Sequence, residues 1–212
     1  MKSLKTFEDD LENLILLFPK NLKASFEELY EYKFDLSNSE ITESIIQRMR
    51  VYAKCQNQIK KLLNKRYAAP ASDFFVETVA FYIAAYLKSI KSLVEVHSER
   101  QIKPKHGFMR PDISLWVGDE VVGIIECKTQ FGYNRDNWAN QQIERKNRLA
   151  KTFPKAKAWL VVFSSSNWNG FHNDPLVNQE YFTLANIHMS GIRKGHEADV
   201  VLNPIENLLR QL

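Results

Sequence analysis

The chain is poor in the residues that most nucleotide-handling and redox scaffolds need. Seven glycines in 212 residues leave little room for a phosphate cradle, and no G-x-x-x-x-G-K run occurs. No G-x-S-x-G elbow or H-E-x-x-H helix is present, so serine-hydrolase and zinc-peptidase chemistry lack their carriers. Two cysteines, Cys55 and Cys127, lie far apart, and the five histidines do not pair at zinc-ligand spacing. The longest apolar run, around Val79 to Leu87, is too short to span a bilayer. The start, Met1-Lys2-Ser3-Leu4-Lys5-Thr6-Phe7-Glu8-Asp9-Asp10, turns acidic where a signal peptide would be apolar. These absences predict a cytoplasmic protein with no membrane partner.

A hydrophobic content of 44% with 25% charged residues describes an ordinary globular chain with a real core. The net charge of +4 is mild, but two stretches concentrate it. Residues 54–66 carry Lys54, Lys60, Lys61, Lys65 and Arg66 without an acid. Residues 100–110 carry Arg100, Lys103, Lys105, His106 and Arg110. Such runs either neutralise phosphates or form a solvated face.

The informative chemistry lies just after the second run. Pro111-Asp112 is followed by thirteen residues and then Glu126-Cys127-Lys128. Residues 111–117 and 121–128 both read as strands, with Gly118-Asp119-Glu120 as the turn. A three-residue loop pairs Val117 with Val121 and sets Asp112 directly across from Glu126, Cβ atoms roughly 4.5–5.5 Å apart. Glu126 and Lys128, two apart, share one strand face. Two carboxylates that close repel, and one pKa rises unless a cation neutralises them. A hard divalent ion, Mg²⁺ with Mn²⁺ as substitute, suits that oxygen pair. The bland alternative is an Asp–Lys–Glu salt bridge at a strand end.

Pro-Asp, a variable stretch and Glu-x-Lys after a hydrophobic strand resemble the PD-(D/E)xK nuclease superfamily. The resemblance implies an α/β restriction-endonuclease-like core of helix, three-strand meander, crossover helix and fourth strand in a mixed sheet. The flanking segments have that order. Residues 73–90 read as a helix, 92–102 hold an extended stretch, 134–151 read as a polar-rich helix, and 158–163 form an apolar strand. The match covers residues 73–166. It implies that Asp112, Glu126 and the Cys127 backbone carbonyl hold metal and that Lys128 assists the attacking water. It also makes Glu77 a candidate metal ligand from the first helix and Gln142 a candidate site residue from the crossover helix. For Glu77, an ordinary carboxylate at the edge of an apolar face is the competing reading. For Gln142, which fits better than Gln141, the competing reading is a solvated glutamine.

Residues 1–69 read as a helical extension packed on a core that spans 70–212. Phe7–Phe18 and Ser25–Tyr32 are predicted as short helices. A Ser37-x-x-Glu40 capping box opens a long helix to about Tyr67, with Ile41, Ile45 and Met49 on its stripe. That stripe faces the core or a second subunit. The loop after residue 166, with Asn167 and Asn169, is a candidate substrate contact alongside Lys103, Lys105 and Arg110, or else a plain connector. A strand over 181–188 and a helical turn over 204–212 close the chain. The expected function is a Mg²⁺-dependent DNA endonuclease of the restriction or phage-defence kind, acting on double-stranded DNA as a homodimer. The alternatives are an RNA endonuclease of the same fold and a non-catalytic nucleic-acid-binding protein on that fold. The RNA enzymes of this kind usually add a histidine from an upstream helix, and no histidine precedes His97.

Overall fold

The computed structural model describes residues 3–103, 109–131, 137–168 and 170–212. It is a mixed α/β protein. Helices α1 (Leu4–Glu28), α2 (Glu40–Leu62) and α3 (Ser72–Ser89) precede strands β1 (Glu95–Ser98), β2 (Ile113–Val117) and β3 (Glu120–Lys128). Helix α4 (Trp138–Ala150), strands β4 (Lys157–Ser164) and β5 (Tyr181–Ala185) and a short helix α5 (Glu206–Leu209) follow. The five strands form one sheet in sequence order. β1, β2 and β3 pair antiparallel as a meander, while β3–β4 and β4–β5 are parallel. Parallel neighbours need a crossover, and α4 supplies the first of them.

Each strand sends alternate side chains to opposite faces, and the two faces are covered differently. Ile113, Leu115, Ile125, Trp159, Val161 and Phe163 pack with α2 and α3 in the main core. Trp116, Ile124 and Ala158 point the other way, against Leu149 of α4. Leu160 and Val162 share that second face and pack with Trp168, Phe171 and Tyr181, so the segment joining β4 to β5 is held by aromatics instead of a helix. Gly123 is required in this layer arrangement. A Cβ there would lie 2.4 Å from the Trp159 ring.

The hairpin differs from the expected one in an instructive way. Its loop is two residues, Gly118-Asp119, with Val117 paired to Glu120. Gly118 has φ +58°, which suits glycine in the first central position of a tight hairpin turn. The register then shifts between Leu115 and Trp116, leaving Val122 as the extra residue of a β-bulge. Beyond the bulge Leu115 pairs with Gly123 and Ile113 with Ile125. One further step sets Asp112 across from Glu126. The shorter loop and the bulge cancel, and the expected opposition survives.

The N-terminal helices also depart from expectation. Residues 4–28 form one helix that runs through Pro19, and it contributes no buried side chain. Pro19 cannot donate to the carbonyl four residues earlier. Past it, Phe26 packs on Phe81 of α3, ring centroids 5.3 Å apart, which secures the second half. Helix α2 spends the first half of its stripe on the core: Ile41, Ile45 and Met49 are buried there, leaving little of that half for a second subunit.

No capping box opens α2. Its N-cap is Ser39, whose hydroxyl donates to the Glu43 side chain. The buried Glu206 carboxylate reaches in from α5 instead. It accepts from the N–H groups of Ile41 (2.7 Å) and Thr42 (3.0 Å) and from the Thr42 hydroxyl (2.5 Å). The Thr42 hydroxyl in turn accepts from the Ile205 N–H at 2.8 Å. A negative group at a helix N-terminus satisfies orphan donors and opposes the helix dipole. Glu206→Ala should therefore lower unfolding stability by about 3 kcal/mol, as for a removed partner that strands buried donors. Urea melts of wild type and variant measure it, and an unchanged midpoint would contradict this role.

Candidate active site

Asp112, Glu126 and Lys128 converge because of the register just described. Asp112 lies one residue before β2, and alternation sends its side chain to the α4 face, as it does those of Glu126 and Lys128. The Asp112 carbonyl accepts from the Glu99 N–H at 3.1 Å, toward β1. Its carboxylate oxygen Oδ2 accepts from the Cys127 N–H at 2.8 Å, across to β3.

Pro111 explains why the sheet opens here. Extending the register two steps beyond Ile113–Ile125 puts Pro111 across from Cys127. In a regular antiparallel ladder that pair would exchange both N–H···O=C bonds. Pro111 has no N–H, so it offers the Cys127 carbonyl no donor. The Cys127 N–H has turned to the Asp112 carboxylate. A backbone carbonyl and two carboxylates are thereby presented at the end of one hairpin.

Charges around these oxygens are unevenly shared. Glu126, 9% exposed, accepts at Oε1 from Lys128 (2.5 Å) and forms an ion pair there with Arg145 of α4 (3.0 Å). Glu126 Oε2 and Asp112 Oδ1 have no partner among the described residues. Burial first, and the Glu126 charge second, push the Asp112 carboxyl above its ordinary range. The Cys127 N–H, Lys128 and Arg145 pull it the other way. The Cys127 thiol is on the opposite face, in the main core, and burial drives it well above the usual thiol range, so it stays protonated and inert.

An open cleft of about 460 Å³ reaches the two carboxylates, with Arg110, Pro111, Gln141, Arg145 and Arg148 among its walls. Three guanidinium-bearing residues around two carboxylates make a site for an anion held next to a cation. The oxygen donors fit a hard divalent ion that keeps several waters. Among the described residues no group of three or more His, Cys, Asp or Glu side chains forms, so the fit rests on two carboxylates and the main-chain carbonyl.

The remaining expected residues fall elsewhere. Glu77 is exposed on α3 and is not among the residues walling the cleft. Gln142 is fully buried beneath the cleft, its amide donating to the Ala158 carbonyl (3.2 Å) and accepting from Arg145 (2.9 Å). It thus positions Arg145 against Glu126, while Gln141 takes the place at the cleft wall. Arg110 lines the cleft; Lys103 is exposed away from its walls. Asn167 donates to the Phe131 carbonyl at 2.5 Å, fastening the loop after β4. Lys105 and Asn169 lie outside the described residues. Sequence reasoning missed Arg145. Its signal was available: it lies one helical turn after Gln142 on the same face.

No protein-family model matches the chain, and no curated protein matches it. Among solved structures, a chain of the native BbvCI A2B2 tetramer at low resolution is similar. It is 14% identical with a TM-score of 0.37, the match covering 99% of this chain and 89% of that one. A score of that size places the chain in no fold family, and the reading of the site rests on its own geometry.

The raised Asp112 pKa gives a stability test. Folding favours the protonated form of this carboxyl, so its charge penalises the fold above the raised pKa and carries no penalty below 3.8, where the unfolded chain is protonated too. Asp112→Asn keeps an oxygen for the Cys127 N–H. At pH 7 the variant should melt about 2–4 °C higher than wild type, the scale on which a chain of this size responds to one lost repulsion. The gain should vanish below about pH 4. Mn²⁺ should raise the melting temperature of wild type and leave that of the variant unmoved. A lower-melting variant at pH 7, or an equal Mn²⁺ response, would contradict the assignment.

Proposed function

We propose that this chain is a Mg²⁺-dependent endonuclease of the PD-(D/E)xK type that hydrolyses phosphodiester bonds in double-stranded DNA, in the manner of restriction or phage-defence nucleases. The observation that carries the reading is the hairpin end itself. A bulge restores the register that opposes Asp112 and Glu126, and the proline across from Cys127 has no N–H to offer the carbonyl beside them. A plain salt bridge would match both carboxylates with bases, whereas Lys128 and Arg145 both pair with Glu126, and among the described residues the Asp112 carboxylate meets only the Cys127 N–H. The order α3, β1–β3, α4, β4 agrees with the core that the resemblance implies.

Asp112, Glu126 and the Cys127 carbonyl would hold the metal, which supplies charge neutralisation at the scissile phosphate and a more acidic water. The chain's own groups do the rest. Arg110 and Arg148 line the cleft, where a guanidinium fork matches phosphate oxygens. Lys128 lies on the same strand face as Glu126 and pairs with it, where its ammonium would orient the attacking water and offset charge developing on phosphorus oxygens. Arg145 holds Glu126 from the helix side, so the carboxylate keeps its orientation when Lys128 turns toward substrate.

Purified protein incubated with plasmid, linear duplex, single-stranded DNA and RNA, in Mg²⁺ or EDTA, tests the reading. Cleavage of duplex DNA only in Mg²⁺ is expected. RNA cleavage alone would favour the RNA enzyme, and binding without cleavage would favour a non-catalytic protein. Lys128→Ala should lower cleavage by about 10²–10³-fold, the scale of one lost transition-state donor. Its DNA binding in Ca²⁺, measured by gel shift, should stay near wild type, because interactions made mainly in the transition state affect turnover more than binding. A variant that cuts at the wild-type rate would overturn the role of Lys128.

A further inference from the structure

Helix α1 leaves an unusual amount of apolar surface uncovered. Leu4, Phe7, Leu11, Leu14 and Phe18 recur at spacings of three, four, three and four, the seam of a coiled coil. Together with Ile15, Leu16 and Leu17 they are 40–77% exposed. None of residues 4–18 belongs to a buried apolar cluster or to the hydrophobics packed against one, among the described residues. Among the described residues, the apolar contacts of the helix with its own body come further along, where Pro19, Leu22 and Phe26 lie beside α3 and β1. A helix in a protein draws most of its stability from packing an apolar face, and residues 4–18 pack none of theirs among the described residues. Its first half therefore needs a partner surface.

We propose that this surface is the dimer interface of the protein, in which α1 of one copy packs antiparallel on α1 of a second copy. Three observations favour a second copy over other occupants. The heptad seam is self-complementary, as a two-fold interface requires. In antiparallel register Leu11 of one copy faces Leu14 of the other, and Phe7 faces Phe18, giving four apolar layers. The charge layout has the same sense. Glu8, Asp9, Asp10 and Glu12 load the first half with acid, whereas residues 13–26 hold no acid and carry Lys20 and Lys23. An antiparallel pair lays each acidic half beside the other copy's acid-free half. A parallel pair would align the four acids with four more. The area is also sufficient: a stable interface takes roughly 800 Å² from each partner, and the five seam residues with the flanking Ile15 and Leu17 offer on the order of that. The proposal is independent of the cleavage reading, since it rests on no residue of the cleft.

Sedimentation or light scattering of the full chain over a range of concentrations should give twice the monomer mass. Leu11→Glu/Leu14→Glu should give the monomer with an unchanged melting profile of the body, because neither residue is buried in it. Leu16→Glu, off the seam, should leave the dimer intact. On a Cys55→Ser background, mixed Phe7→Cys and Phe18→Cys proteins should oxidise to the mixed disulfide in preference to either like pair. A wild type that is monomeric throughout, a seam double variant that stays dimeric, or dominant like-pair disulfides would overturn the proposal. A monomer that co-sediments with anionic phospholipid vesicles would assign the stripe to a lipid surface instead, and that too would overturn it.

Discussion

The register of one antiparallel pair governs everything chemical in this molecule. Side-chain period in a strand is two, so a slip of one residue would send Asp112 to the main core and leave Glu126 alone on the α4 face. A two-residue turn by itself would have produced that slip relative to the opposed arrangement. The bulged Val122 undoes it, and Gly123 beside it makes room for Trp159. The aromatic ring thus seals β3 against β4 at the point where the ladder changes step. Packing holds the correction in place, and the correction holds the site.

The site is also electrostatically lopsided. Glu126 is shared by an ammonium and a guanidinium, and Arg145 is itself oriented by a buried amide fixed to the β4 backbone. Among the described residues, the Asp112 carboxylate accepts only from a main-chain N–H. The deficit falls on the carboxylate that the Cys127 N–H holds. Negative potential is therefore concentrated at one end of the cleft while its walls are basic. A cation and a phosphodiester could occupy adjacent places there without competing for the same groups.

Much of this was legible in the chain before any coordinates. Alternation and apolar runs placed β2, β3 and β4, and helical periodicity placed α3 and α4 to within a few residues. The opposition of Asp112 and Glu126 was legible too, although by a wrong loop length, because the turn and the bulge err in opposite directions. What stayed hidden depends on partners distant in sequence. Helix α1 continues past Pro19 because Phe26 finds Phe81. The start of α2 was assigned to a local capping box because its real acceptor, Glu206, lies 164 residues beyond Thr42. Periodicity favours Gln142 over Gln141 for the inward stripe, and Gln142 is the buried one; that its amide then supports Arg145 while Gln141 lines the cleft depends on the packing of α4 on β4. Glu77 shows the limit from the other side: apolar neighbours along a helix do not bury a carboxylate that the fold turns outward.

The clamp between Glu206 and the start of α2 bears on the order in which the protein can be made. Chain synthesis delivers α2 before all five strands and α5 after them. Until Glu206 arrives, the Ile41 and Thr42 N–H groups and the Thr42 hydroxyl have lost their buried acceptor. The main core includes Ile41 and Ile45 from one end of the sequence and Ile205, Leu208 and Leu209 from the other, so it too stays incomplete. The sheet meander can pair while the chain is still growing, but the layer that covers its α2 face closes only after residue 209 has left the ribosome. A nascent chain stalled short of that point would expose the sheet's most apolar face, making it a substrate for chaperones and proteases.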